Sequence, residues 1–260
     1  MGSSRVLRLL RSRRVRAGTR AELALAEARR RLRPAPVYGA RYGGGRVFLS
    51  HEDFETDWRT LAYVLVDEAY AGDYAGAVVL DLGAHKGYFG AYALARGARA
   101  VVSYEPARAN LALLQRAAAS FRARGADWRV RASVVGAQAG EADLHLLRGS
   151  WGHSLAPPEA FAEYEVGVER VPVEALADVL EEGRALAAGA RLVVKMNVEG
   201  AECEAVLETP PHAWAGVGEA YVETHAWASC GAGELTAHLA AAGLTPAPSA
   251  HRAVLRLRRR

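Results

Sequence analysis

The chain contains no isoleucine, and only two cysteines, two lysines and two asparagines among its 260 residues. No stretch approaches the ~20 consecutive apolar residues that a membrane-crossing helix needs, and the first residues lack the apolar core of a secretory signal. A cytoplasmic location is therefore expected. Cys203 and Cys230 form no C-x-x-C pair and have no histidines at zinc-site spacing, which excludes a disulfide-rich scaffold and gives no support for structural zinc. Both thiols are expected to be reduced. With 26 glycines and 10 prolines, collagen-like and low-complexity readings are also out. What remains is an ordinary globular composition, 51% hydrophobic and 24% charged, long enough for one substantial core.

The net charge of +4 is unevenly spread. Residues 1–33 carry eleven arginines against Glu22 and Glu27, a local +9 that leaves −5 for the rest. A mildly acidic body offers no electrostatic footprint for a phosphate backbone, so no nucleic-acid partner is expected. The basic segment reads as two short helices ending at Pro34 and Pro36: either a solvated extension lying against the body or a tether to an acidic partner of unknown kind. Its removal is expected to leave cofactor binding intact. Arginine stands nearly everywhere that lysine would, as in GC-rich coding sequences. Under that pressure Lys86, Lys195, Asn110 and Asn197 are candidates for a chemical role, and all but Asn110 fall inside the two strongest motifs.

Residues 37–50 read as strand, glycine turn and strand, and a helix follows with Trp58, Leu61, Ala62, Leu65 and Val66 on one face. From Val78 short apolar runs alternate with helical stretches, the pattern of a parallel α/β sheet. Strands are expected near 78–82, 100–104, 130–134, 192–195 and 220–224, with helices near 88–95, 107–120, 201–208 and 234–242. Two strand-like pieces, 142–147 and 168–174, flank a loop that should overhang the sheet's carboxyl edge. The final AVLRLRRR alternates and is expected to close the sheet.

VVLDLGAHKGYFG, residues 78–90, is a buried strand, an acid, a glycine turn and a helix start. In doubly wound sheets a ligand sits beside such a turn, where glycines let the backbone approach and the helix start offers free N–H groups. The dinucleotide fingerprint fails because Ala84 and His85 fill the stretch of its second glycine, which disfavours a nicotinamide-dependent dehydrogenase. Asp81 would repel a pyrophosphate and welcome an ammonium. Glu105 ends the next strand, 24 residues later, where an acid grips ribose hydroxyls. Ribose plus an amino-acid end describes S-adenosylmethionine.

A third segment, RLVVKMNVEGAECEAVL at residues 191–207, ends a strand in Lys195-Met196-Asn197 and turns at Gly200 into a helix. It resembles the hallmark of the FkbM-type methyltransferase family, close to K-x-D-x-E-G-x-E. Lys195, Glu199, Gly200 and Glu202 match, and Asn197 stands where the family has Asp. DLGAHKGYF, SYEPARANLALL, RASVVGAQAGEADLHL and YVETH resemble further motifs of that family in the right order, so the resemblance spans about residues 45–245.

The resemblance implies an α/β fold with a Rossmann-like class I methyltransferase sheet, mostly parallel with an antiparallel C-terminal strand. The expected division is a basic helical extension at 1–36 and a methyltransferase domain at 37–260, its core motifs within 78–225. It also implies S-adenosylmethionine as cofactor and a small-molecule hydroxyl as methyl acceptor. The alternatives are N-methylation of an amine or peptide side chain, and an inert cofactor-binding protein. Asp81, Gly83, Ala84 and Gly87 are expected to cradle the methionine end, Glu105 the ribose, and Ala132, Ser133 and Val134 the adenine. His85, Tyr88, Pro106 and Asn197 complete the expected cofactor contacts. Lys86 is either a solvated helix-start lysine or functional.

An amide at 197 is a poor ligand for a hard cation, so no metal is expected. The expected base is His225, with an ordinary pKa of about 6.5 and Glu223 two residues earlier to orient it; the alternatives are no dedicated side-chain base, in a purely positional mechanism, and Glu199, while Glu202 is structural. His153, Trp151 and Trp227 are candidates to touch substrate, while His51, His145, His212, His238 and His251 show no ligating spacing. Whether the chain forms a homo-oligomer is left open.

Overall fold

The computed structural model describes residues 8–150 and 152–260; residues 1–7 of the basic segment and Trp151 lie outside the described residues. Helix α1 (Ala17–Leu32) leads into a hairpin of β1 (Val37–Tyr42) and β2 (Gly45–Ser50), and α2 (Phe54–Leu65) follows. The hairpin register runs from Val37 opposite Ser50 to Tyr42 opposite Gly45. Next come β3 (Val78–Leu82), α3 (Tyr88–Ala95), β4 (Ala100–Tyr104), α4 (Arg108–Arg122) and β5 (Asp127–Arg131).

A three-stranded sheet interrupts the alternation: β6 (Val134–Gly136), β7 (Gly140–Leu147) and β8 (Glu165–Ala175), ordered β6-β8-β7. Then α5 (Leu176–Ala187), β9 (Leu192–Met196), α6 (Glu202–Glu208), β10 (Val217–Glu223), α7 (Ala232–Ala241), β11 (Leu244–Ala247) and β12 (Val254–Arg259) complete the fold.

The main sheet has the order β11-β12-β10-β9-β3-β4-β5. Strands β5, β4, β3, β9 and β10 are mutually parallel, and β12 runs antiparallel to both β10 and β11. This is the Rossmann-like, mostly parallel sheet expected. The chain walks from β3 toward β5 on one side and from β9 toward β10 on the other, so the winding reverses between β3 and β9. A ligand crevice opens outside the carboxyl ends at such a point. The central strands are apolar throughout because both faces are covered. Val79, Val101 and Val193 face a core shared with α2, α3, α4 and the hairpin, whereas Leu80, Val102 and Val194 face one shared with α5, α6 and α7.

Several boundaries depart from expectation for identifiable reasons. The strand expected at 130–134 is split: β5 ends at Arg131, and β6 belongs to the small sheet. As the sheet's last strand, β5 has only Trp128 fully buried, so its apolar pattern is too weak to mark its ends. Helix α5 is absent from the sequence reading, and it contains Gly183 in its interior. A Cβ there would lie 2.8 Å from Leu80 Cδ1, so the glycine lets the helix cross β3 closely. The final strand does close the sheet, but between β10 and β11 and not at the edge.

The cysteines also depart from expectation. Cys203 and Cys230 are joined in a disulfide, tying the start of α6 to the loop that precedes α7. Twenty-seven residues separate them in sequence, and only the packing of α6 beside that loop brings their Cα atoms to 5.6 Å. Among the described residues, no helix is long and apolar enough to cross a membrane.

The basic segment proves to be part of the core. Thr19, Leu23 and Ala26 form the buried face of α1, and Leu9 and Val15 are buried as well. Their arginines stay at the surface: Arg30 and Arg31 pair with Glu27, and Arg30 stacks over Phe54. Deleting residues 1–33 is therefore expected to lower the melting temperature sharply or leave an aggregating product, read by thermal unfolding and size-exclusion chromatography.

Lys86 is neither solvated nor at the cavity. Its side chain is 1% exposed, with Nζ 2.7 Å from Asp57 Oδ1 and 3.2 Å from Asp53 Oδ2, which fastens the glycine turn after β3 to α2. Burial pushes the Asp57 carboxyl up to about 6, even with the ammonium beside it. Lys86→Met should cost about 3–5 kcal/mol in denaturant unfolding by leaving a buried carboxylate uncompensated, and adding Asp57→Asn should recover part of the loss.

Candidate active site

One cavity of about 550 Å³ runs along the carboxyl ends of β4, β3, β9 and β10. Glu105, one residue past β4, stands at its first end. Its carboxylate accepts hydrogen bonds from the backbone N–H of His85 at 2.7 Å and of Ala107 at 3.1 Å, and burial pushes its pKa up to about 7. Each oxygen thus keeps acceptor capacity for a ligand hydroxyl. Pro106, Ser133, Val134 and His85 line the same end. Burial and the nearby Lys86 ammonium hold the His85 imidazole well below its ordinary pKa, hence neutral.

The middle of the cavity is formed where the turns after β3 and β9 touch. Gly83 has φ 74°, and a Cβ there would lie 1.8 Å from the Asn197 carbonyl oxygen, so only glycine fits. Asn197 lines the cavity, and its side-chain amide bonds no other described residue; Oδ1 is buried without a partner. Below it, Lys195 Nζ sits 3.0 Å from Asp81 Oδ1 and donates to the carbonyls of Gly83 at 2.6 Å and Leu82 at 3.3 Å.

That pairing corrects the role expected of Asp81. Its carboxylate is fully buried and neutralised by Lys195, so it supports the turn and does not meet a ligand ammonium. Four more expected cofactor contacts do not reach the cavity. Ala84 is buried in the turn, Gly87 packs under Leu114 and Trp128, Tyr88 donates to the Phe48 carbonyl, and Ala132 is exposed outside.

At the other end stand Glu199, Glu223 and His225 together. Glu199 has φ 50°, a left-handed conformation rare for a side-chain-bearing residue, and its carbonyl accepts from Ser154 Oγ at 2.6 Å. Glu202, fully buried at the start of α6, accepts from His225 Nδ1 at 3.0 Å and from the His225 backbone N–H at 2.9 Å. His225 Nε2 lies 3.3 Å from Glu199 Oε2, in ion contact but out of hydrogen-bond alignment.

Burial by itself would lower the His225 pKa, but the two carboxylates outweigh it and hold the imidazole up at about 10. At neutral pH it is an imidazolium with no free lone pair, which corrects the expectation of a base titrating near 6.5. Glu223 does not orient it: that carboxylate accepts from Tyr63 OH at 3.2 Å and Tyr70 OH at 2.5 Å. Glu202, read from sequence as structural, is the residue that orients His225.

Sequence reasoning singles out Asn110 only by its rarity and gives it no place in the site. It is buried at the cavity wall beside Glu105, donates from Nδ2 to the Ser150 carbonyl at 3.1 Å, and leaves Oδ1 without a partner. Its rarity in the chain was the one available signal. Tyr63, Thr56, Thr60 and Arg59 of α2 also line the mouth, as do His153 and Leu155 of the overhanging loop.

No protein-family profile and no curated protein sequence matches the chain. Solved structures with some likeness include methyltransferase FkbM of Methylobacillus flagellatus KT, at 15% identity and TM-score 0.48 over 98% of this chain and 57% of that one. The chain thus spans little more than half of that protein. Magnesium protoporphyrin IX methyltransferase of Synechocystis PCC 6803, solved with SAM bound, has 11% identity and TM-score 0.42 over 100% and 92%. Ribosomal protein L11 methylase of Lactobacillus delbrueckii subsp. bulgaricus has 12% and 0.36 over 80% and 80%. Likeness this distant carries no weight for the chemistry, which rests on the residues above.

The charge state of His225 is directly measurable. Its ring signals in NMR should stay flat between about pH 6 and 8 and move only near 10, and Glu202→Gln should bring the midpoint down toward the ordinary histidine range. A wild-type midpoint near 6.5 would restore His225 as a base.

Proposed function

We propose that this chain is an S-adenosylmethionine-dependent methyltransferase acting on a hydroxyl of a small molecule. The observation that carries the reading is the order of groups along one cavity at the winding reversal: Glu105, then Gly83 with Asn197, then Glu199, Glu223 and His225. Glu105 offers spare acceptor capacity to two ribose hydroxyls. The Asn197 amide, donor and acceptor both uncommitted, suits a zwitterionic amino-acid end. Gly83 lines the cavity beside that amide. When bound, S-adenosylmethionine supplies an electrophilic methyl carbon.

The chain's own work is then positional. Glu105 and Asn197 hold the two ends of the cofactor, and α2 with the loop at 153–155 covers the site where an acceptor must align. Asn197 presents an amide where a hard cation would favour a carboxylate, so the reading is metal-independent. The protein is read as acting on a diffusible acceptor, with no nucleic-acid partner.

S-adenosylhomocysteine should raise the melting temperature while NAD does not, and Glu105→Ala should weaken binding by about 1–3 kcal/mol in calorimetry. The pH dependence has a definite sign. Glu105 in the free protein is protonated below about 7, and ribose hydroxyls donate to the carboxylate. Affinity should therefore be full above that pH and fall by up to about tenfold per unit below it. Equal affinity at pH 5.5 and 8 in the wild type, or unchanged affinity in the mutant, would remove the ribose assignment.

A further inference from the structure

The acceptor end of the cavity is acidic beyond what cofactor binding requires. Glu199, Glu202 and Glu223 converge there, against His225 as the one cation in contact with them among the described residues. The arginines at the mouth are already committed: Arg8 pairs with Asp67, and Arg59 with Glu55. Glu202 spends both oxygens on His225 and the Gly200 backbone N–H, and Glu223 spends both on Tyr63 and Tyr70.

Glu199 differs. Its Oε2 is buried against the His225 imidazolium, while Oε1 bonds no described residue and is the oxygen left with access to the cavity. The chain also accepts a left-handed backbone at a glutamate to place this carboxylate, with glycine following at 200. Strain of that kind, costing about 1–3 kcal/mol, persists where the surroundings fix it, here the Ser154 hydroxyl on the Glu199 carbonyl.

We infer that Glu199 is the group that receives the acceptor's proton, that His225 is a positioning residue holding it, and that the acceptor brings its own proton as an alcohol or amine. This rests on the methyltransferase reading. In the transfer, the acceptor heteroatom forms its bond to the methyl carbon while the carbon–sulfur bond breaks and its electron pair stays on sulfur. The acceptor's proton passes to Glu199 Oε1 and leaves to solvent through the mouth. Two uncompensated negative charges at this end disfavour any acceptor that arrives ionised, such as a carboxylate or a phosphate. Burial raises the Glu199 carboxyl above its ordinary range, with the nearby Glu223 and Glu202 adding to this and His225 opposing it, so it is a better base than a solvated glutamate.

Sinefungin tests this without knowledge of the acceptor, because it carries an ammonium-bearing carbon where the cofactor carries its methylsulfonium, whereas S-adenosylhomocysteine has an uncharged thioether sulfur there with neither methyl nor ammonium. The wild type should bind sinefungin more tightly than S-adenosylhomocysteine at about pH 8. Glu199→Gln should reduce that preference by about 10- to 100-fold while S-adenosylhomocysteine affinity stays within about twofold. Glu199→Asp should restore part of it. In His225→Gln the preference should survive, but the pH at which it is lost on acidification should rise, because the imidazolium no longer favours the charged carboxylate. A purely structural role would not move that midpoint. The proposal is overturned if the wild type shows no preference, if Glu199→Gln leaves the preference intact, or if both ligands weaken together in that variant. If neither ligand binds the wild type, the methyltransferase reading itself fails.

Discussion

The buried pair of Asp81 and Lys195 is the constraint on which the site depends. The two residues face each other in register across the parallel strands β3 and β9, where the winding of the sheet reverses. Lys195 Nζ goes beyond its carboxylate to gather the carbonyls of Leu82 and Gly83, so the turn leaving β3 is drawn against β9. The contact between Gly83 and the Asn197 carbonyl follows from that draw. The ammonium also lies 5.8 Å from the ring centroids of Tyr70 and Phe89, which replace part of its lost hydration. A buried pair of this kind adds little net stability over apolar residues, but half of it cannot stand alone. Its use here is specificity of geometry: two turns that line one cavity are locked to each other.

A second lysine does the same from the other side. Lys86 joins the glycine turn to α2 through Asp57 and Asp53, and α2 carries Thr56, Thr60 and Tyr63 to the cavity mouth. Both lysines of the chain are thus buried tethers for the same turn. Further along, the Glu202–His225–Glu199 run links the start of α6 to the end of β10, and the disulfide of Cys203 and Cys230 spans the same two segments one and five residues on. The cavity's acidic end is therefore held by covalent and ionic ties that converge on one short helix.

Scarcity proved a better guide to importance than residue type. Lys86, Lys195, Asn110 and Asn197 are all buried or at the cavity wall, yet the chemical roles read from type were partly misplaced. Asp81 was legible as a strand-end acid beside a glycine turn; that its charge was already spent was not, because its partner lies 114 residues away. Glu105 kept its expected place, since the end of β4 must lie beside the turn after β3. The basic segment misled in a different way: arginines set its net charge, while the residues that bury it, Leu9, Val15, Leu23 and Ala26, are few and apolar.

By itself the sequence determined most of the alternation of strands and helices and the identity of the segments that line the cavity, while the strand order, and with it the reversal between β3 and β9, came from the tertiary structure. The former are local consequences of apolar runs and glycine turns. Which carboxylates face a ligand, which are consumed by lysine or tyrosine, and that His225 carries a charge were decided only by tertiary structure. Protonation and pairing depend on distances of about 3 Å between groups far apart in the chain, and on burial, neither of which the order of residues encodes.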